Sequence, residues 1–168
     1  MNSLDDFTKK KVLVVGDIML DRHLYGSVSR ISPEAPVPIL KVERETNNPG
    51  GASNVAVNLA DLGAKVLLAG TVGDDEARIK LLVSLKEKKI DVSCIINTNK
   101  QTTQKIRGIS GQHLFRIDYE DVSKISSNYE KQLLLLIKKK IPEVDAIILS
   151  DYDKGTLTEK LVKGVISL

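Results

Sequence analysis

Four short stretches in which nearly every residue is apolar recur along the chain, at positions 12–15, 66–72, 91–96 and 146–149. A strand that is apolar on both faces must be covered on both faces, which is the condition of a buried strand in a parallel sheet. The stretches between them change to helical spacing. Residues 52–62 put Val55, Leu59 and Leu62 on one face, with Gly63 placed to end the helix, and residues 75–88 do the same through Ile79, Leu82 and Leu85. Ser127 with Glu130, and Thr156 with Glu159, have the spacing of a capping box. They predict two more helix starts, the first helix running over 129–140 and the second carried by Leu161, Val165 and Leu168. Alternating strands and helices predict an α/β fold, a mainly parallel sheet flanked by helices. The last apolar stripe runs to Leu168 with no glycine or proline placed to end it, and a parallel sheet covered on both faces is expected to continue past it.

Two segments break this rhythm. Residues 23–45 alternate and are punctuated by Pro33, Pro36 and Pro38, which excludes a helix and reads as edge strands or an excursion. Residues 102–119 form two short alternating stretches around Ser110-Gly111, the pattern of a hairpin.

Composition narrows the function classes. The net charge of +3 arises from 25 basic and 22 acidic residues spread along the chain, too even a balance for a nucleic-acid partner. The one tight basic run, Lys138, Lys139 and Lys140, falls where a helix would end and suits its dipole. Cys94 has no second cysteine to pair with and sits in an apolar run, so it reads as a core thiol in a reducing compartment. No apolar run approaches a membrane span and the first residues lack the apolar core of a signal peptide, so a cytoplasmic protein with no membrane partner is expected. His113 has no partners at metal-ligand spacing, and no metal site is expected. Gly73-Asp74-Asp75 precedes a helix and reads as its cap. Neither GxxxxGK nor GxGxxG occurs, which argues against dinucleotide binding.

The phrase VLVVGDIMLDRHLYGSVSRISPEAPVPILKVERET, followed by NPGGASNVAVNLADLGAKVLLAGTVGDDEA, closely resembles the opening of the D-glycero-D-manno-heptose-7-phosphate kinases of the ribokinase (PfkB) family. In bifunctional members that kinase precedes an adenylyltransferase. TTQKIRGISGQHLFRIDYED resembles the family's second lid segment, and IILSDYDKGTLT its SDYGKG-type strand end, with Asp153 where the pattern has glycine. The resemblance implies a ribokinase-like fold in which segments 23–45 and 102–119 form a small β lid, and in which paired lids can make a homodimer. It implies a kinase that moves the γ-phosphate of ATP, with Mg2+, to the C1 hydroxyl of heptose 7-phosphate, in the synthesis of ADP-heptose for lipopolysaccharide. The family's catalytic aspartate lies in a Gly-Ala-Gly-Asp segment that does not occur in these residues. No catalytic base is therefore named, and residues 1–168 are expected to hold the sugar-binding half and, in isolation, to be inactive. A kinase for another sugar, or a non-catalytic sugar-phosphate-binding or dimerisation module, are the alternatives.

Holding a sugar calls for carboxylates and amides, which make directed pairs of hydrogen bonds, while a phosphate calls for cations. Asp21, after a buried strand, is the first choice for gripping hydroxyls, against a plain turn aspartate. Gly50 and Gly51, with Asn54 one turn into the helix, allow close backbone approach; in the resembling kinases this group contacts the sugar. Asp17 either binds substrate or caps the turn after Gly16. Arg107, Arg116 and Asp118 are candidate phosphate and sugar contacts, against an exposed hairpin face, and Asp151 and Lys154 at a further strand end complete the set.

Overall fold

The computed structural model describes residues 4–168. After a 3-10 helix at Leu4–Lys9 come β1 (Lys11–Gly16), β2 (Ile18–Ile31), β3 (Pro38–Gly51), α1 (Ala52–Asp61), β4 (Lys65–Val72), α2 (Glu76–Glu87) and β5 (Asp91–Asn97). Then follow β6 (Thr103–Ser110), β7 (Gln112–Tyr119), α3 (Ser127–Lys140), a 3-10 turn at Ile141–Glu143, β8 (Ala146–Ser150) and α4 (Glu159–Ile166). Strands β5-β4-β1-β8 form a parallel sheet, and β3-β2-β6-β7 form a second, mixed sheet.

The apolar runs explain the first sheet. Side chains alternate across a strand, so Val12 and Val14 of β1 pack with Leu81 and Leu85 on one face. Leu13 and Val15 pack with Leu133, Ile137, Leu161 and Val165 on the other. Each fully buried Leu among these contributes roughly 1.5–3 kcal/mol of apolar transfer. Cys94, on β5, is buried in the second cluster, and burial pushes its thiol pKa up.

Sequence and structure differ at the predicted lid segments, at two helix caps and on two helix faces, where Leu62 and Ile79 are exposed and Ala56 and Leu81 are buried instead. Strand pairing in the second sheet begins at Ile18 and runs to Gly51, wider than 23–45, because β2 starts as core, with Ile18, Met19 and Leu20 buried, before it leaves the sheet rim. The prolines mark β3 as the edge strand, while β2 lies inside, between β3 and β6. The predicted box of Ser127 and Glu130 does not form. Ser126 is the N-cap of α3, and Glu130 instead accepts a hydrogen bond from the Thr158 hydroxyl and pairs with Lys160 at 3.1 Å. Thr158, not Thr156, caps α4 by accepting from Leu161 N at 3.0 Å, and Thr156 is turned to Thr71. In both cases a contact between elements outcompetes the local one. Asp75 caps α2 as the sequence predicts. Burial raises its pKa, but the amides of Arg78 and Thr102 outweigh that and hold the carboxyl below its usual range.

Candidate functional site

The carboxyl end of β1 meets the carboxyl end of β8, and Asp17 sits at that junction, 1% exposed. Its amide donates to Ser150 O at 3.2 Å and its carbonyl accepts from Ala52 N at 2.9 Å, so it joins β8 to the start of α1. Its carboxylate accepts from Tyr152 N (2.9 Å), Lys154 N (3.1 Å) and Thr156 N (3.0 Å). In the same loop Asp151 accepts from Asp153 N at 2.9 Å, and Lys154 pairs with Glu120 at 3.0 Å. Asp153 has φ +56, the left-handed conformation for which glycine is the usual residue. Lys100 reaches the carbonyls of Ser123 and Lys154, binding this loop to the segment after β7. A cavity of about 10 Å³, the size of one water, lies among Asp17, Thr71, Lys100, Thr103 and Lys154.

Gly50 and Gly51 end β3 and lead into α1. A Cβ at Gly50 would collide with the Asp21 carboxylate, and Gly51, at φ +57, would drive one into the carbonyl of Asp17. Only residues without side chains let the three groups converge. Asp21 lies within β2 rather than at the end of a strand of the parallel sheet, and its carboxylate is bound by Arg107 Nη1 at 2.6 Å.

Strand register sorts one face of the lid into cross-strand rows. Asn48, Asp21, Lys105 and Asp118 form one row; Thr46, His23, Arg107 and Arg116 form the next; Arg44, Tyr25, Ile109 and His113 form the third. The first carries two carboxylates and an amide with the Lys105 ammonium among them, the second two arginines and a histidine. Arg116 forks onto Asp118, with Nε to Oδ1 at 2.7 Å and Nη2 to Oδ2 at 2.5 Å. That pairing holds the Asp118 pKa below, and the Arg116 pKa above, their ordinary values. Arg44 lies 3.9 Å from the Tyr25 ring, and Tyr25 stacks with His23. The opposite face mixes an ion pair, Arg22 with Glu45 at 3.0 Å, with exposed apolar side chains, Val42 at 48%, Ile117 at 45% and Tyr119 at 47%, and the Phe115 ring lies against Gly108.

Asp21, Gly50, Arg107, Arg116 and Asp118 are thus neighbours on the lid, and Asp17, Asp151 and Lys154 are neighbours at the rim. Asn54 stands apart from both: exposed, it lines a groove of about 520 Å³ with Asn47, Pro49, Ser84 and Lys88. Sequence reasoning missed His23, Lys105 and Glu120. The alternation Asp21-x-His23-x-Tyr25 and Lys105-x-Arg107 is the signal that places the first two beside the named residues. Among the described residues no group of three or more His, Cys, Asp or Glu side chains could hold a metal ion. No helix among them is long and apolar enough to cross a membrane.

An open parallel sheet with carboxylates and a lysine at its rim, joined to a second four-stranded sheet with one charged face, defines an α/β fold of the kind that holds ligands at the rim of its strands. The chain belongs to the pfkB family of carbohydrate kinases, whose sequence profile matches residues 9–163. It is 45% identical over 167 residues to the bifunctional protein HldE of Hyphomonas neptunium, covering 98% of the chain and 34% of that protein. It is 46% identical over 161 residues to HldE of Helicobacter pylori strain Shi470, covering 95% and 35%. The chain therefore spans about a third of the length of these curated relatives. Among solved structures it matches a putative phosphofructokinase from Staphylococcus aureus (TM-score 0.73, 17% identity, 94% of this chain and 48% of that one). It also matches phosphofructokinase-2 from Escherichia coli (TM-score 0.69, 18% identity, 94% and 51%). At those identities the likeness establishes the ribokinase-type fold.

Proposed function

We propose that this chain supplies the sugar-binding half of a kinase that transfers the γ-phosphate of ATP to the C1 hydroxyl of D-glycero-D-manno-heptose 7-phosphate, toward ADP-heptose for lipopolysaccharide. The observation that carries the reading is the ordering of the lid rows: a row of two carboxylates and an amide around Lys105, followed by a row with Arg107 and Arg116. Such an order suits a polyol with an anion at one end. Asp21 accepts from sugar hydroxyls, with Asp118 beside it and the Gly50–Gly51 backbone allowing close approach. Arg107 and Arg116 receive the phosphate, and Lys154 adds a cation from the rim. Asn54 contacts the sugar only if the start of α1 turns toward the lid on binding.

The work of these residues is to hold the reacting hydroxyl in line and exclude water, which is most of what phosphoryl transfer asks of a protein. ATP supplies the transferred group, Mg2+ offsets its charge, and neither is held by the residues named above. The lid face opposite these rows, through its apolar side chains Leu24, Val42, Phe115, Ile117 and Tyr119, pairs with the same face of a second copy. The location is cytoplasmic, where ATP and sugar phosphates are found.

The test is a coupled assay of the full protein with ATP and Mg2+, comparing heptose 7-phosphate, fructose 6-phosphate and ribose. Heptose 7-phosphate is expected to lead ribose in kcat/KM by at least about a hundredfold, since a phosphate-binding row rejects a sugar that leaves it unpaired, and to lead fructose 6-phosphate by a smaller factor. Equal turnover of ribose, or none of heptose 7-phosphate, sinks the reading.

A further inference from the structure

The loop from Asp151 to Thr156 has the shape of an anion receptor. Asp153 at φ +56 and Gly155 at φ +87 turn the backbone so that the amides of residues 152, 154 and 156 converge on one point. Such a cluster of amides is the kind of concavity that takes a phosphate or sulfate. Here it is already filled from within, because the Asp17 carboxylate occupies the point of convergence. At 1% exposure, Asp17 meets a ligand only if this loop is first pulled away.

We propose that Asp17 is a positioning residue: it fixes the 151–156 loop, and so the Lys154 ammonium and the Asp151 carboxylate, relative to the Gly50–Gly51 turn. Three observations support that role. The carboxylate holds the loop through alternate amides, and each odd-numbered residue between them is left to follow. The Asp17 carbonyl holds the first amide of α1, so the loop and the glycine turn are referenced to one residue. Lys154, once placed, is paired with Glu120, one residue past the end of β7, so the loop also sets where the lid joins the rim. The proposal rests on the sugar-phosphate kinase reading for its kinetic consequence, but not for its structural one.

The experiment compares the full-length wild-type protein with Asp17→Asn, Lys154→Met and the double variant. Amide hydrogen exchange is read at residues 152, 154 and 156, and KM for the sugar phosphate is read against kcat. In the wild type those three loop amides are expected to exchange as slowly as β1 amides; rapid exchange there overturns the proposal without any variant. In Asp17→Asn their exchange is expected to rise at least about tenfold with β1 little changed, because one acceptor oxygen is replaced by a donor. KM is expected to rise about tenfold with kcat within about threefold, and Lys154→Met is expected to add little to Asp17→Asn, since both act through one ammonium. A raised KM with unchanged loop exchange, or full additivity of the two substitutions, overturns the positioning role. If the wild type phosphorylates no sugar phosphate, the kinase reading fails while the exchange data still decide whether Asp17 holds the loop.

Discussion

The two sheets have four strands each but are stabilised differently. In the parallel sheet the stretch of β1 from Val12 to Val15 is apolar on both faces, and every residue in it is buried. In the lid, β2 starts buried and then presents Asp21, His23 and Tyr25 on one face and Arg22, Leu24 and Val28 on the other. Burial holds the first sheet and leaves little freedom to substitute. Cross-strand pairs hold the second, and its side chains can be exchanged for chemistry at small cost to the fold.

That contrast is broken most severely from the core side. Leu13→Ala is expected to lower stability by about 2–5 kcal/mol, while Ile117→Ala on the lid changes monomer stability by less than about 1 kcal/mol. Urea denaturation of both variants measures the difference, and equal losses would erase the distinction. Asp21→Asn tests the lid through function. Losing a charged acceptor is expected to weaken sugar-phosphate binding by about 1.5–3 kcal/mol, or about ten- to a hundredfold, with little change in melting temperature. Titration calorimetry checks it, and unchanged affinity removes Asp21 from the site.

Glu130 sharpens the comparison, because it is a buried carboxylate inside the helical layer of the core rather than on the lid. The Thr158 hydroxyl above all, with Lys160, holds its pKa below the ordinary 4.5, although burial opposes them. A carboxyl with a depressed native pKa contributes stability that is fully present above pH 4.5 and is lost as pH falls through the lower native value. Glu130→Gln is expected to cost about 1–3 kcal/mol at pH 7 and to flatten this part of the acid unfolding limb, read by circular dichroism from pH 7 to pH 2. The smallest effect is at the rim. Asp153→Gly relieves a left-handed backbone and is expected to raise stability by about 0.5–1 kcal/mol, seen as a higher melting temperature; a lower one would mean that the Asp153 side chain supports the loop.

The parallel strands were legible because a run such as 12–15 has one physical solution, burial on both sides. The hairpin at Ser110-Gly111 and the Asp75 cap were equally legible, since their causes lie within a few residues. What could not be read locally depends on distant partners. Arg107 and Asp21 are 86 positions apart, and the amides that surround Asp17 are 135 to 139 positions away. The capping boxes misplaced the helix starts for the same reason, because Thr158 lies 28 positions from Glu130. The candidate lid residues were found by resemblance, but their grouping into rows required the parallel pairing of β2 with β6, which no pattern within either strand specifies.

The continuous run of β2 from the rim into the lid makes that face behave as a graduated rule. Its marks are about 6.8 Å apart, two residues of extended backbone, and no rotamer can stretch the interval. Evolution can rewrite what stands at each mark, but the distance from the carboxylate mark to the arginine mark is set by the peptide chain itself.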